Sequence, residues 1–189
     1  MTMKFAGKCQ ARHLSFALVV MLLGAVVCNA SITYNVNRTI GAGSVTGFIQ
    51  TDGTTPGPLF AGNILNWDLT LTDPSATFNI NGGNSVVYIQ GADVTASTTQ
   101  LLFNFSGSDN GILLFQQGLF SGNHYYCAAT QLGACLQGET VTPISVFSSY
   151  QNVGRSGNVV IGAVPEPGTL LLMGSSLIGA IGTLRRKLL

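Results

Sequence analysis

Along residues 31–163, apolar and polar side chains alternate with a period of two. Ile32, Tyr34 and Val36 are separated by Thr33 and Asn35, and Trp67, Leu69 and Leu71 by Asp68 and Thr70. Leu101, Phe103 and Phe105 alternate with Leu102 and Asn104, and Phe78 with Ile80 repeats the pattern. Successive side chains of a strand point to opposite faces, so each run predicts a strand with one face on a core. Residues 86–89 and 112–115 are continuous apolar runs, which predicts strands buried on both faces. Turn formers separate the runs at Asp52-Gly53, Asn81-Gly82-Gly83 and Asp109-Asn110-Gly111. No helical period persists for three turns, and no internal repeat suggests a propeller or solenoid. About ten short strands in roughly 130 residues predict an all-β fold, an antiparallel two-sheet β-sandwich of jelly-roll-like type.

Both ends break this pattern. Lys4, Lys8 and Arg12 precede an apolar stretch over residues 14–28, and Asn29-Ala30 places a small residue after it. That order predicts a secretory signal peptide over residues 1–30. The far end reads Val164, Pro165, Glu166, Pro167 and Gly168. An uncharged apolar run over residues 169–184 follows, and then Arg185, Arg186 and Lys187. As a helix the run spans roughly 24 Å, a short transmembrane length, with residues 168–184 predicted in the membrane and the basic tail on the cytoplasmic side. Two prolines keep the preceding segment extended and open to an enzyme.

This tail resembles the PEP-CTERM sorting signal of exported proteins in Gram-negative bacteria, which joins a Pro-Glu-Pro motif, a transmembrane helix and an Arg-rich end in that order. The resemblance covers residues 164–189. It implies recognition and processing near the motif by an exosortase-type membrane enzyme, transient anchoring in the inner membrane, and then a cell-surface or extracellular location. It also implies an association with exopolysaccharide and biofilm matrix. The opening of the body, from Tyr34 to the Gly41-Ala42-Gly43 turn and Asp52-Gly53, is similar to exported domains that carry this tail.

Charge sharpens the division into three segments. The chain as a whole is net +1, with only 8% charged residues. Residues 31–163 hold two bases, Arg38 and Arg155, against six acids: Asp52, Asp68, Asp73, Asp93, Asp109 and Glu139. Such a body offers no basic surface for nucleic acid. It has no lysine, which excludes Schiff-base chemistry and Lys–Asn isopeptide bonds.

Cys9 and Cys28 lie in the leader, leaving Cys127 and Cys135 in the body. In an oxidising compartment this pair predicts a disulfide stapling an excursion from about His124 to Gln137. The alternative, a metal held by His124 and both thiols, offers three ligands at most and lacks paired spacing, so no metal and no cofactor is expected. His124 is the only histidine of the body, and no Gly-x-Ser-x-Gly elbow accompanies it. Asp109-Asn110-Gly111 reads as a turn; it lacks the full acidic loop of a dedicated calcium site. Trp67 falls in the apolar phase of its strand and is expected in the core, whereas Tyr125 and Tyr126 in the stapled segment are candidate ligand-binding residues. These features predict an exported surface or matrix protein without catalytic activity. A carbohydrate-binding module is the alternative, and a secreted hydrolase using His124 or a carboxylate pair stands behind it.

Overall fold

The computed structural model of the protein describes residues 30–121, 123–133, 135–144 and 150–165. Residues 1–29 of the expected signal peptide, Glu166, Pro167, the expected span over residues 168–184 and the tail Arg185, Arg186 and Lys187 lie outside the described residues. Among the described residues no helix is long and apolar enough to cross a membrane.

The chain begins with β1 (Ile32–Ile40) and β2 (Gly43–Thr51), a hairpin turning at Gly41 and Ala42. After the short β3 (Gly57–Pro58), β4 (Ile64–Thr72) pairs with β2 and turns into β5 (Thr77–Asn81). The chain crosses to a second sheet as β6 (Val86–Gln90), returns as β7 (Val94–Ala96) and β8 (Gln100–Asn104), and crosses again as β9 (Ile112–Gln116). There β10 (Tyr125–Ala129), β11 (Gly138–Thr142) and β12 (Gln151–Val153) follow, before β13 (Asn158–Ala163) returns to the first sheet. The result is an antiparallel eight-stranded sheet, β3-β7-β8-β13-β1-β2-β4-β5, and an antiparallel five-stranded sheet, β12-β11-β10-β9-β6.

The core forms where the period-two apolar positions of the two sheets meet. Tyr34, Val36 and Ile40 of β1 and Trp67, Leu69 and Leu71 of β4 share one cluster with Leu113 and Phe115 of β9 and Tyr126 of β10. Burying a large apolar side chain contributes about 1.5–3 kcal/mol, so this shared layer is the main favourable term. Trp67 is in the core as its phase predicts. Its ring lies 5.5 Å from that of Phe115, and its indole N–H donates to Ser85 Oγ at 2.8 Å. The β2–β4 register shifts at Gln50/Thr51, which leaves Leu65 as an extra residue and turns it outward, so that Ile64 and Trp67 both face the core. Gly47 is required where β2 passes β4, because its φ is +136° and a Cβ there would run into the Asp68 carbonyl oxygen.

The two continuous apolar runs part company. Every residue of β9 is buried, as a central strand between β6 and β10 should be. The run over residues 86–89 is not buried on both faces: β6 is an edge strand with one partner, Val86 is exposed, and Val87, Tyr88 and Ile89 are half-buried. Continuous apolar character is a property of residue type; a second neighbour is a property of topology.

One polar cluster lies between the sheets. Glu139, on the inward face of β11, is fully buried. Arg38 reaches it from β1 with Nε to Oε1 at 2.9 Å and Nη2 to Oε2 at 2.6 Å. Arg155 donates to Oε2 at 2.7 Å, and the Tyr126 hydroxyl donates to Oε1 at 2.9 Å. The arginines also bind main chain, Arg38 to Val160 O and Arg155 to Thr39 O, each at 2.8 Å. Burial alone pushes the Glu139 carboxyl up, but the hydrogen bonds and charge of Arg38, with help from Tyr126 and Arg155, hold it below the usual glutamate value. A depressed acid stabilises the fold above its unfolded value near 4.5 and loses that contribution as pH falls through the folded value. Glu139→Gln is therefore expected to cost about 3 kcal/mol in urea unfolding at neutral pH, since it leaves two guanidinium groups without a counter-charge. It should also flatten the loss of stability below pH 4.5. A variant as stable as the parent, with the same acid profile, would contradict this role.

Candidate functional site

The outer face of the five-stranded sheet carries an apolar patch of its own. Ile112 and Leu114 of β9 and Cys127 and Ala129 of β10 point outward and pack with Cys135 in a second, smaller apolar cluster. Cys135 belongs to the connection between β10 and β11, and a disulfide to Cys127 ties that connection down. The staple differs from the expected excursion in one respect. Tyr125, Tyr126 and Cys127 are on a regular strand paired to both β9 and β11, so the looped part starts after Ala129.

That placement separates the two tyrosines. Neighbours on a strand face opposite ways. Tyr126 points into the core, is fully buried and donates to Glu139, so its candidacy as a ligand-binding residue is withdrawn. Burial pushes its hydroxyl well above the usual tyrosine range, with the Glu139 charge and hydrogen bond adding to it. Tyr125 points outward, half-buried against the smaller cluster, and its hydroxyl is raised by burial and by Tyr150.

A cleft of about 450 Å³ opens beside this cluster, on the outer side of the edge strand β6. Tyr88, Phe120, Ile112 and Leu132 supply its apolar surface, and Gln90, Gln131 and Asn110 its amides. The Tyr88 and Phe120 rings meet edge to face at 5.3 Å. Phe120 is 56% exposed and Leu132 74% exposed. Asn110 and Phe120 both sit in the left-handed backbone region, with φ of 54° and 56°. For a bulky residue such as Phe120 that conformation is strained, and it persists here with the ring turned outward. An exposed Phe120 beside a half-buried Tyr88, flanked by amides, can stack on a flat apolar face and hydrogen-bond a polar rim. Periodicity could not reveal this site: its residues come from β6, β9 and three connections. The one legible signal was an apolar run too hydrophobic for an edge strand.

His124 stacks on Phe78 with ring centroids 3.7 Å apart, and its Nδ1 donates to the Pro143 carbonyl at 2.7 Å. The ring thus braces the two sheets at the β5 edge. Among the described residues no group of three or more His, Cys, Asp or Glu side chains could hold a metal ion.

At the other functional feature, β13 runs straight into the Pro-Glu-Pro segment. Ala163 ends the strand, opposite Asn35 of β1 and Gln100 of β8. The Val164 amide donates to Thr99 O at 2.8 Å and its side chain packs on the core, whereas Pro165 is exposed. Residues 163–187 match the family described as the PEP-CTERM protein-sorting motif. The chain carries a PEP-CTERM sorting signal. The signal implies export, transient membrane anchoring through the C-terminal segment, and processing by exosortase, a membrane enzyme. No curated protein and no solved structure matches the chain.

Replacing Cys127 and Cys135 together by Ser is expected to lower stability by about 2.5 kcal/mol, the chain-entropy value for so short a loop. The loss should be local: limited proteolysis would cut residues 130–137 faster while the core between the sheets stays protected. Equal protection of that segment in both proteins would contradict the staple.

Proposed function

We propose that this protein is a cell-surface or extracellular-matrix protein without catalytic activity, a β-sandwich delivered through its PEP-CTERM signal and associated with exopolysaccharide in a biofilm. The observation that carries the reading is the direct passage from β13 to the sorting motif, with Val164 docked on the core and Pro165 free. A domain joined this way is the cargo of its own signal. Its surface supports the same reading: apart from Leu65, the exposed positions of β1 and β4 are Asn35, Asn37, Thr39, Asn66 and Asp68, a polar and weakly charged face suited to a hydrated matrix. Fractionation tests it. A chain ending before Val164, and a full chain with Pro165 and Pro167 changed to Ala, are expected to lose processing and to change compartment. Location and mature termini identical to the parent's would refute the sorting role.

The cleft favours a second reading, a carbohydrate-binding module, because Tyr88 and Phe120 offer ring faces beside three amide side chains. On this reading Tyr88→Ala or Phe120→Ala lowers binding to a retained polysaccharide by tenfold or more in affinity electrophoresis, about 1.4 kcal/mol, while thermal stability changes little. Retardation of the two variants equal to the parent's would remove the cleft from consideration.

A further inference from the structure

Asp93, at the start of β7, is only 5% exposed, and its Oδ2 has no hydrogen-bond partner among the described residues. Its surroundings are built to receive a carboxylate. The segment 107–111 folds directly onto it, and a Cβ at either Gly107 or Gly111 would collide with the carboxylate oxygens. Asp109, in the same segment, brings a second negative charge. The Asp109 carbonyl oxygen also turns toward this strand connection, 3.0 Å from where a Cβ on Gly91 would stand. A further orphan belongs to a residue bonded to Gly111. Thr130 donates its amide to Gly111 O at 3.0 Å, while its buried Oγ1 is without a partner. Two of the three unpartnered buried side-chain atoms among the described residues thus flank one glycine, the third being Gln116 Oε1 on β9.

Among the described residues no basic side chain is placed here. Arg38 and Arg155 are both committed to Glu139, the body has no lysine, and His124 is stacked on Phe78. A buried carboxylate beside a second negative charge and without a counter-ion is costly, and a group left in that state takes up a proton or a cation. The donors on offer are all oxygens: two carboxylates, main-chain carbonyls and a hydroxyl. That set suits a hard cation with irregular coordination and is unsuited to zinc, which takes nitrogen and sulfur.

We propose that Asp93 and the segment 107–111 form a binding site for a divalent cation of the calcium type. Asp93 and Asp109 supply the charge, and loop carbonyls and water complete the shell. The cation would also fix Asn110, whose side chain lines the cleft, and so stiffen one wall of it. Extracellular modules commonly bind calcium with dissociation constants of about 0.1–1 mM, so a site with two carboxylates is adequate outside the cell.

The competing state is a neutral, protonated Asp93. Burial first, and the Asp109 charge second, push this carboxyl up against a hydrogen bond from the Gly111 amide. An acid raised in the folded state adds stability as pH falls, whereas a bound cation holds it ionised and adds stability at neutral pH. Thermal unfolding of the full chain in detergent separates the two. At pH 7.5, roughly ten times the dissociation constant of CaCl2, about 5 mM, is expected to raise Tm by about 5 °C over EGTA. NaCl of equal ionic strength should not do so. Asp109→Asn, on an exposed loop position, should abolish most of the calcium response while leaving Tm in EGTA unchanged or higher, and Asp93→Asn should abolish it entirely. No calcium response in the parent, a response matched by NaCl, or an undiminished response in Asp109→Asn would each overturn the proposal. A gain of stability at low pH without any calcium effect would overturn it in favour of the protonated acid.

Discussion

Glu139 is the constraint around which the sandwich is organised. A carboxylate with no exposure between two apolar sheets must be neutralised and hydrogen-bonded, or it costs several kcal/mol. It takes both arginines of the body and a core tyrosine to do so. The partners come from β1, from β10 and from the connection between β12 and β13. The arginines' remaining donors reach Val160 O and Thr39 O. An ion cluster of this kind need not stabilise more than a well-packed apolar substitute. Its effect is discrimination: sliding β1 or β11 by one residue would turn Arg38 or Glu139 outward and strand the partner inside. The cluster therefore adds a charge penalty to the one that the apolar faces already impose on such a slip.

Spending both positive charges in one place shapes everything else. The five remaining acids of the body have no basic side chain to meet. Three of them resolve this locally. Asp52 accepts from Thr54 and Asn63, Asp73 from Ser75 and Ala76, and Asp68 from Asn79. Each is a turn or surface residue with amides or hydroxyls to hand, so the carboxylate stays hydrated or capped. Asp93 differs because it is buried while lacking such donors on Oδ2, and Asp109 lies beside it. The same economy of charge that makes the core cluster specific leaves this one position in need of something from outside the chain.

The period-two pattern makes the strands and their inward faces readable: Tyr34 and Val36, or Trp67, Leu69 and Leu71, face the core as the alternation predicts. Topology was not readable in the same way. Residues 86–89 and 112–115 look alike in sequence, yet β6 is an edge and β9 is central, because neighbour number depends on the path of the whole chain. Tyr125 and Tyr126 were assigned to a loop by the disulfide spacing. The strand that continues through them sends one outward and the other to Glu139. The Glu139 cluster did leave a mark in the sequence: Arg38 occupies the apolar phase of β1, between Val36 and Ile40, where an exposed strand face would not put a charge. The period marks Arg38 as out of place, but it does not name Glu139 as the partner, which only the sheet packing supplies. The cleft left a fainter trace, since its residues are gathered from separate connections and share no period.

The position of β13 ties this electrostatic core to the sorting signal. β13 is inserted between β8 and β1, and its partners on β1 are more than a hundred residues earlier in the chain. Until it is in place the eight-stranded sheet is split, Arg38 lacks the Val160 carbonyl, and the Arg155 segment has no strand to anchor it beside Glu139. The last strand therefore completes both the sheet and the neutralisation of its buried charge. Two residues later the chain reaches Pro165, beyond the last backbone hydrogen bond at Val164. Among the described residues, every partner in the ladder and the ion cluster precedes this point. Because the motif follows the strand that closes the fold, the chain order makes a complete body the natural state in which the signal is displayed. The motif thus begins directly where the last strand of the sandwich ends.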